Sequence, residues 1–166
     1  MYTYLLIAAT GEGKTTLVRK LIAKHPYIIY DINGEYREVS NDTTQPRSKF
    51  FGNPVEFIDI CANKHNGTFC VFEDATGFLS GNVGNQMKSF IVAKRHPIEK
   101  GGRNIVLLFH TINSVPPFLL DTADYIVLFK TGDDISAVKK KRAKLVPYFQ
   151  RLQTLPKYSK FIIKNR

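Results

Sequence analysis

The sequence contains no apolar run approaching the roughly 18 residues that span a membrane. Its opening, Met1-Tyr2-Thr3-Tyr4-Leu5-Leu6-Ile7-Ala8-Ala9, lacks the basic start of a secretory leader and is too short for one. A soluble, cytoplasmic chain is the expectation. Cysteine is scarce: Cys61 and Cys70 form neither a CxxC pair nor a His/Cys zinc spacing, which excludes a disulfide framework and leaves buried, reduced thiols. There is no internal repeat and no low-complexity tail. Acidic residues are missing altogether from 135–166, where ten Lys and Arg stand unopposed. Residues 1–134 balance 14 basic against 14 acidic side chains, so the whole net charge of +10 belongs to the last stretch and points to a polyanionic partner.

What is present is enough for one packed domain: 166 residues, 43% hydrophobic and 12% aromatic. Short apolar runs rich in β-branched and aromatic residues alternate with helical or loop-like stretches, the pattern of an α/β protein with a mostly parallel sheet. Strands are expected at 2–9, 27–30, 68–73, 104–109 and 125–129, and helices at 13–24, 56–65 and 85–95. In the first helix Leu17, Val18, Leu21 and Ile22 share one stripe, and His25-Pro26 closes it. Residues 37–54, with Pro46, Gly52 and Pro54, read as a long surface loop or small insertion, and 77–84, with three glycines, as a mobile loop. A basic helix over 134–145 and a short strand at 161–163 extend the same domain.

Directly after the first strand comes Ala8-Ala9-Thr10-Gly11-Glu12-Gly13-Lys14-Thr15-Thr16, a Walker A pattern in which Ala8 replaces the first glycine. Gly11 and Gly13 let backbone N–H groups curl around an anion, and the helix that follows aims its positive end at the same place. Thr10 through Thr16 would cradle the phosphates of ATP, Lys14 would reach the β and γ phosphates, and the Thr15 hydroxyl would hold Mg²⁺. A second metal ligand is expected at an apolar strand end. Thr68-Phe69-Cys70-Val71-Phe72-Glu73-Asp74 supplies one, with the carboxylates in the order Glu-Asp instead of the commoner Asp-Glu. Strand geometry puts Glu73 nearest the Thr15-bound ion and Asp74 toward the γ phosphate, where it would polarise water. At the end of the second strand, Asp31-Ile32-Asn33-Gly34-Glu35-Tyr36 places Asp31 and Glu35 facing the ligand crevice, unless Asn33-Gly34 is a plain turn with solvated carboxylates.

These parts in this order resemble the FtsK–HerA superfamily of DNA-pumping ATPases, and within it are most similar to the genome-packaging ATPases of membrane-containing double-jelly-roll viruses and phages. The resemblance covers residues 2 to about 130, with the Asp31–Tyr36 element its most discriminating piece. It implies a RecA-like (ASCE) P-loop fold and a polar sensor after the fourth strand, here His110, or Thr111 with a one-residue shift. It also implies an arginine supplied in trans, with Arg95 first and Arg103 second. It further implies a ring, a hexamer, that moves DNA, with a capsid vertex or viral membrane proteins as further partners and the virion vertex as a second location.

In Lys139-Lys140-Lys141-Arg142-Ala143-Lys144, five cations in six residues would surround most of a helix and leave little to bury. Phosphate contacts, sequence-independent as a translocase requires, account for them. A merely solvated helix and an anionic membrane surface are the alternatives. Other functions share the P-loop. A nucleoside or nucleotide kinase should show an arginine-bearing lid, which 77–84 lacks; a filamentous-phage assembly ATPase of the zonula occludens toxin group normally carries a membrane span; a nucleotide-binding structural protein would not turn ATP over.

Overall fold

The structure, a computed structural model, describes residues 2–64, 67–79, 81–93 and 102–165. In chain order the elements are β1 (Thr3–Ile7), α1 (Lys14–Ile22), β2 (Tyr27–Tyr30), β3 (Arg47–Phe50), α2 (Pro54–Ala62), β4 (Phe69–Phe72), α3 (Gly81–Ala93), β5 (Asn104–Phe109), α4 (Pro117–Thr122), β6 (Tyr125–Leu128), α5 (Ile135–Arg142), α6 (Val146–Thr154) and β7 (Phe161–Lys164). The strands form one seven-stranded sheet in the order β3-β2-β4-β5-β1-β6-β7. All neighbours run parallel except β6 and β7, which are antiparallel.

Period-two alternation divides each central strand between two cores. Leu5, Ile7, Ile28, Cys70, Phe72, Ile105, Leu107 and Ile126 face α2 to α6, meeting Phe57, Met87, Leu119, Val138 and Phe149. Leu6, Ile29, Val71, Val106, Leu108 and Val127 face the other way, onto Val18 and Ile22 of α1 and onto Tyr36. Burial on both faces explains why the strands read as continuous apolar runs. The parallel direction of β1 to β6 brings all their carboxyl ends, and the loops that leave them, to one edge of the sheet.

Three expectations need correcting. The stretch 37–54 is not all loop: Arg47–Phe50 pairs with β2 from Tyr27↔Arg47 to Tyr30↔Phe50. As an edge strand it needs one buried side, and its exposed Arg47 and largely shielded Lys49 hide the usual strand pattern. The stretch 77–84 is not all loop either, because α3 begins at Gly81. Gly84 serves close packing there: a Cβ would come within 2.9 Å of the Leu79 carbonyl oxygen. The basic helix does bury a face, since Val138 and the following Leu145 are fully enclosed. Beyond it lies α6, with a proline in its first turn and Phe149 and Leu152 turned inward. Among the described residues no helix is long and apolar enough to cross a membrane.

Candidate nucleotide-binding site

β1 ends between its two neighbours, and the loop that leaves it is tied to both: Ala8 N–H donates to Phe109 O (3.1 Å) and Ala9 N–H to Lys130 O (2.9 Å). Ala8 is fully buried with negative φ, so no glycine is needed at this position. Gly11 (φ 78°) and Gly13 (φ 89°) take the left-handed backbone that the loop does require, and Gly13 caps α1. No acidic residue occupies the first turn of α1, so its unpaired N–H groups and positive dipole end remain available to an anion.

Lys14 folds back over the loop. Its Nζ donates to the carbonyls of Ala8 and Ala9 and lies 3.2 Å from His110 Nδ1. With the ammonium as donor, Nδ1 accepts and Nε2 carries the ring proton. Burial lowers the Lys14 pKa, against which the charge of Asp74 acts first, then those of Glu35, Glu73 and Glu12. His110, not Thr111, therefore reaches the phosphate loop. The Thr111 side chain accepts from Ser114 N–H (3.1 Å) and shapes the following turn.

The element after β2 has an internal order that the sequence did not reveal. Asp31, 4% exposed, accepts from the N–H groups of Glu35 (2.8 Å) and Tyr36 (3.1 Å) and pairs with Lys49 (3.8 Å). It positions its neighbour instead of facing the crevice. Glu35 does face it, with Oε2 accepting 2.7 Å from the Thr15 hydroxyl. Thr10, Gly11, Gly13, Lys14, Thr15, Thr16, Glu35 and His110 line one cavity of about 350 Å³.

Glu73 follows β4 and is 3% exposed, its Oε2 enclosed without a hydrogen-bond partner. Burial first, then the charges of Glu35 and Asp31, push its pKa up to about 7, partly offset by the facing Tyr36 phenol and by Lys14. An enclosed carboxylate oxygen with nothing to bind, together with a threonine hydroxyl, fits a hard cation that takes few protein ligands and keeps waters and phosphate oxygens for the rest. Among the described residues no cluster of three or more His, Cys, Asp or Glu could hold a metal by itself. Asp74, half-buried, sits at φ 48°, a left-handed conformation that aspartate tolerates better than most residues.

Arg95 lies outside the described residues. Arg103 stands at the opposite end of β5 from His110, donating from Nε to Lys64 O (3.2 Å) and also to Ala62 O, where it closes the end of α2. Sequence reasoning missed three participants. Tyr36 packs beside Glu73; Asp133 accepts from the N–H groups of Ile112 (2.8 Å) and Asn113 (3.1 Å) behind His110; Tyr158 forms part of the cavity wall. Asp133 and Tyr158 reach the site from far along the chain, where local pattern carries no signal, whereas Tyr36 stands inside the Asp31–Tyr36 element, and its contact with Glu73 of another strand end is not local.

In the basic segment, Lys141 donates to Val115 O (3.3 Å), Arg142 pairs with Asp121, and Lys144 bonds the Asn165 side chain. Lys139 and Lys140 are exposed, and among the described residues neither pairs with a carboxylate.

Solved structures share this architecture. The genome packaging NTPase B204 of Sulfolobus turreted icosahedral virus 2, in complex with ATP-gammaS, superposes with a TM-score of 0.76 at 19% identity, over 98% of this chain and 91% of that one. The chain has the P-loop NTPase fold. The cytoplasmic domain of the Thermomonospora curvata type VII secretion ATPase EccC matches with a TM-score of 0.65 at 13% identity, over 98% of this chain and 24% of that one. The pCW3 conjugation coupling protein TcpA, with ATPgS, matches with 0.62 at 9%, over 98% and 57%. No family model and no curated protein matches the sequence.

Proposed function

We propose that the chain is an ATP-hydrolysing motor subunit of the FtsK–HerA kind that moves DNA into a viral capsid as part of a ring, most simply a hexamer. The observation that carries this reading is a cavity lined by the glycine-rich loop, with Lys14 and Thr15 in its wall, together with the enclosed Glu73 Oε2, which makes no hydrogen bond. Likeness in fold to a DNA-packaging ATPase over nearly the whole of both chains supports the motor assignment.

In this reading Lys14 leaves the Ala8 and Ala9 carbonyls to meet the β and γ phosphates, and the N–H groups of the loop hold the remaining oxygens. Thr15 and Glu73 would hold Mg²⁺, which would supply charge neutralisation for the phosphates. Asp74 orients a water for in-line attack. A new P–O bond forms to that water, the bond to the bridging oxygen breaks, ADP leaves, and the water's proton passes to Asp74 or to phosphate. His110, already against Lys14, reads the γ phosphate, and a neighbour's Arg95 supplies the outside cation. Exposed Lys139 and Lys140 contact the DNA backbone without base selection. The motor would work in the infected cell's cytoplasm and at the virion vertex.

Steady-state ATPase activity with and without single- and double-stranded DNA tests the proposal. Stimulation by DNA is expected. Phosphorylation of a nucleoside, or ATP binding without turnover, would overturn it in favour of a kinase or a structural protein.

A further inference from the structure

A second cavity of about 370 Å³ adjoins the phosphate cavity and shares Gly13, Thr16 and Tyr158 with it. Its far side is formed by Leu17 and Lys20 of α1, Phe129 after β6, and Lys160 just before β7. The volume is in the range of small-molecule pockets, and the lining is mainly apolar, with Lys20, Lys160 and Glu12 as its charged members, a composition suited to the heterocycle of a nucleotide more than to its phosphates.

The shared wall is unusual. Tyr158 has φ 67°, a left-handed backbone that costs a side chain without a local hydrogen-bonding group about 1–2 kcal/mol. It is nevertheless 59% exposed, so burial of its ring does not offset that cost. What holds it is specific: its N–H donates to Glu12 Oε2 of the phosphate loop (3.2 Å), and Ser159 N–H closes the turn onto Pro156 O (3.3 Å). The ring lies against the loop backbone, with Cδ1 3.3 Å from where a Cβ on Gly13 would stand. The Lys157 ammonium lies 5.2 Å from the centre of the ring. A strained, exposed aromatic fastened to the phosphate loop makes sense as a stacking platform.

We propose that Tyr158 stacks on the base of the nucleoside triphosphate whose phosphates occupy the loop, with Glu12 as the residue that positions it. The proposal rests on the phosphate-site reading above. It makes the turn at 156–159 the base-holding part of the site. Because every base presents a π face, such a platform adds affinity without choosing between adenine and guanine.

The test compares ATP, GTP and inorganic tripolyphosphate, each with Mg²⁺, by calorimetry on the wild type and on Tyr158→Ala, Tyr158→Gly and Tyr158→Phe. Glycine suits φ 67° and preserves the turn while removing the ring, so it separates loss of stacking from loss of fold. ATP and GTP should each weaken about tenfold or more in the Ala and Gly variants. Phe should bind like the wild type, and tripolyphosphate affinity should stay unchanged throughout. Wild-type ATP affinity in Tyr158→Gly, or an equal loss for tripolyphosphate, would overturn the assignment. Failure of the wild type to bind tripolyphosphate would instead overturn the phosphate site itself, and this platform with it.

Discussion

The Thr15 hydroxyl donates to Glu35 Oε2 across 2.7 Å, so the hydroxyl proposed to hold Mg²⁺ is tied to a carboxylate that Asp31 holds in position. Glu35 also brings negative charge to the rim of a cavity meant for phosphates. Glu35→Gln should therefore tighten ADP binding in the absence of Mg²⁺ by about threefold to tenfold, the size of one like-charge repulsion at a solvated rim. Calorimetry in EDTA measures it, and unchanged affinity would remove Glu35 from the binding site.

Glu73 sets a pH dependence of stability. Its folded pKa of about 7 lies above the unfolded value, so the folded state holds the proton more tightly. The stabilising contribution is full below about pH 4.5 and is lost as pH rises through 7. Without nucleotide, Glu73→Gln should be more stable than the wild type by about 1–3 kcal/mol at pH 8, with the gap closing by pH 5. Urea unfolding at the two pH values checks the sign. A gap that is constant or wider at pH 5 would contradict the enclosed carboxylate.

In the proposed mechanism Asp74 orients the attacking water. Asparagine accepts the same left-handed backbone, so Asp74→Asn should fold normally and bind ATP while losing at least about a hundredfold in turnover. Full turnover in that variant would reassign the role.

Gly84 lies inside α3, where alanine is ordinarily better by about 1 kcal/mol. Here the added Cβ would meet the Leu79 carbonyl oxygen at 2.9 Å, and overpacking against backbone costs about 1–3 kcal/mol. The clash outweighs the propensity, so Gly84→Ala should lower the melting temperature. A rise would show that the turn before α3 yields easily.

Of the five clustered cations, Lys139 and Lys140 carry the DNA prediction, because the others already hold Val115, Asp121 and Asn165. Lys139→Glu combined with Lys140→Glu should leave basal ATPase activity intact and abolish its stimulation by DNA. The salt slope of DNA binding should fall by about two. Stimulation that survives both changes would place the DNA surface elsewhere.

The phosphate loop was legible in the sequence because its chemistry is local: Gly11, Gly13 and Lys14 need no partner from elsewhere to announce what they do. Glu73 was legible for a similar reason, an apolar strand running into a carboxylate. β3 was hidden because an edge strand carrying Arg47 and Lys49 satisfies no alternation rule. The order within the Asp31 element, where one carboxylate props up the next, depends on backbone donors that composition does not show. Tyr158 was hidden most thoroughly, since its partner Glu12 lies 146 residues away and only the return of β7 to the sheet joins them.

The strand order carries one more consequence. β5 lies between β1 and β4, which sets two inter-strand steps, roughly 9.5 Å, between the strand that delivers Lys14 and the strand that delivers Glu73. Among the described residues Lys14 pairs with no carboxylate. Were β4 the neighbour of β1, these opposite charges could collapse into an enclosed ion pair, and an arriving substrate would have to break it at a cost of several kcal/mol. The inserted strand acts as a spacer that keeps the two groups apart, so on the proposed reading an arriving phosphate chain has no enclosed ion pair to break.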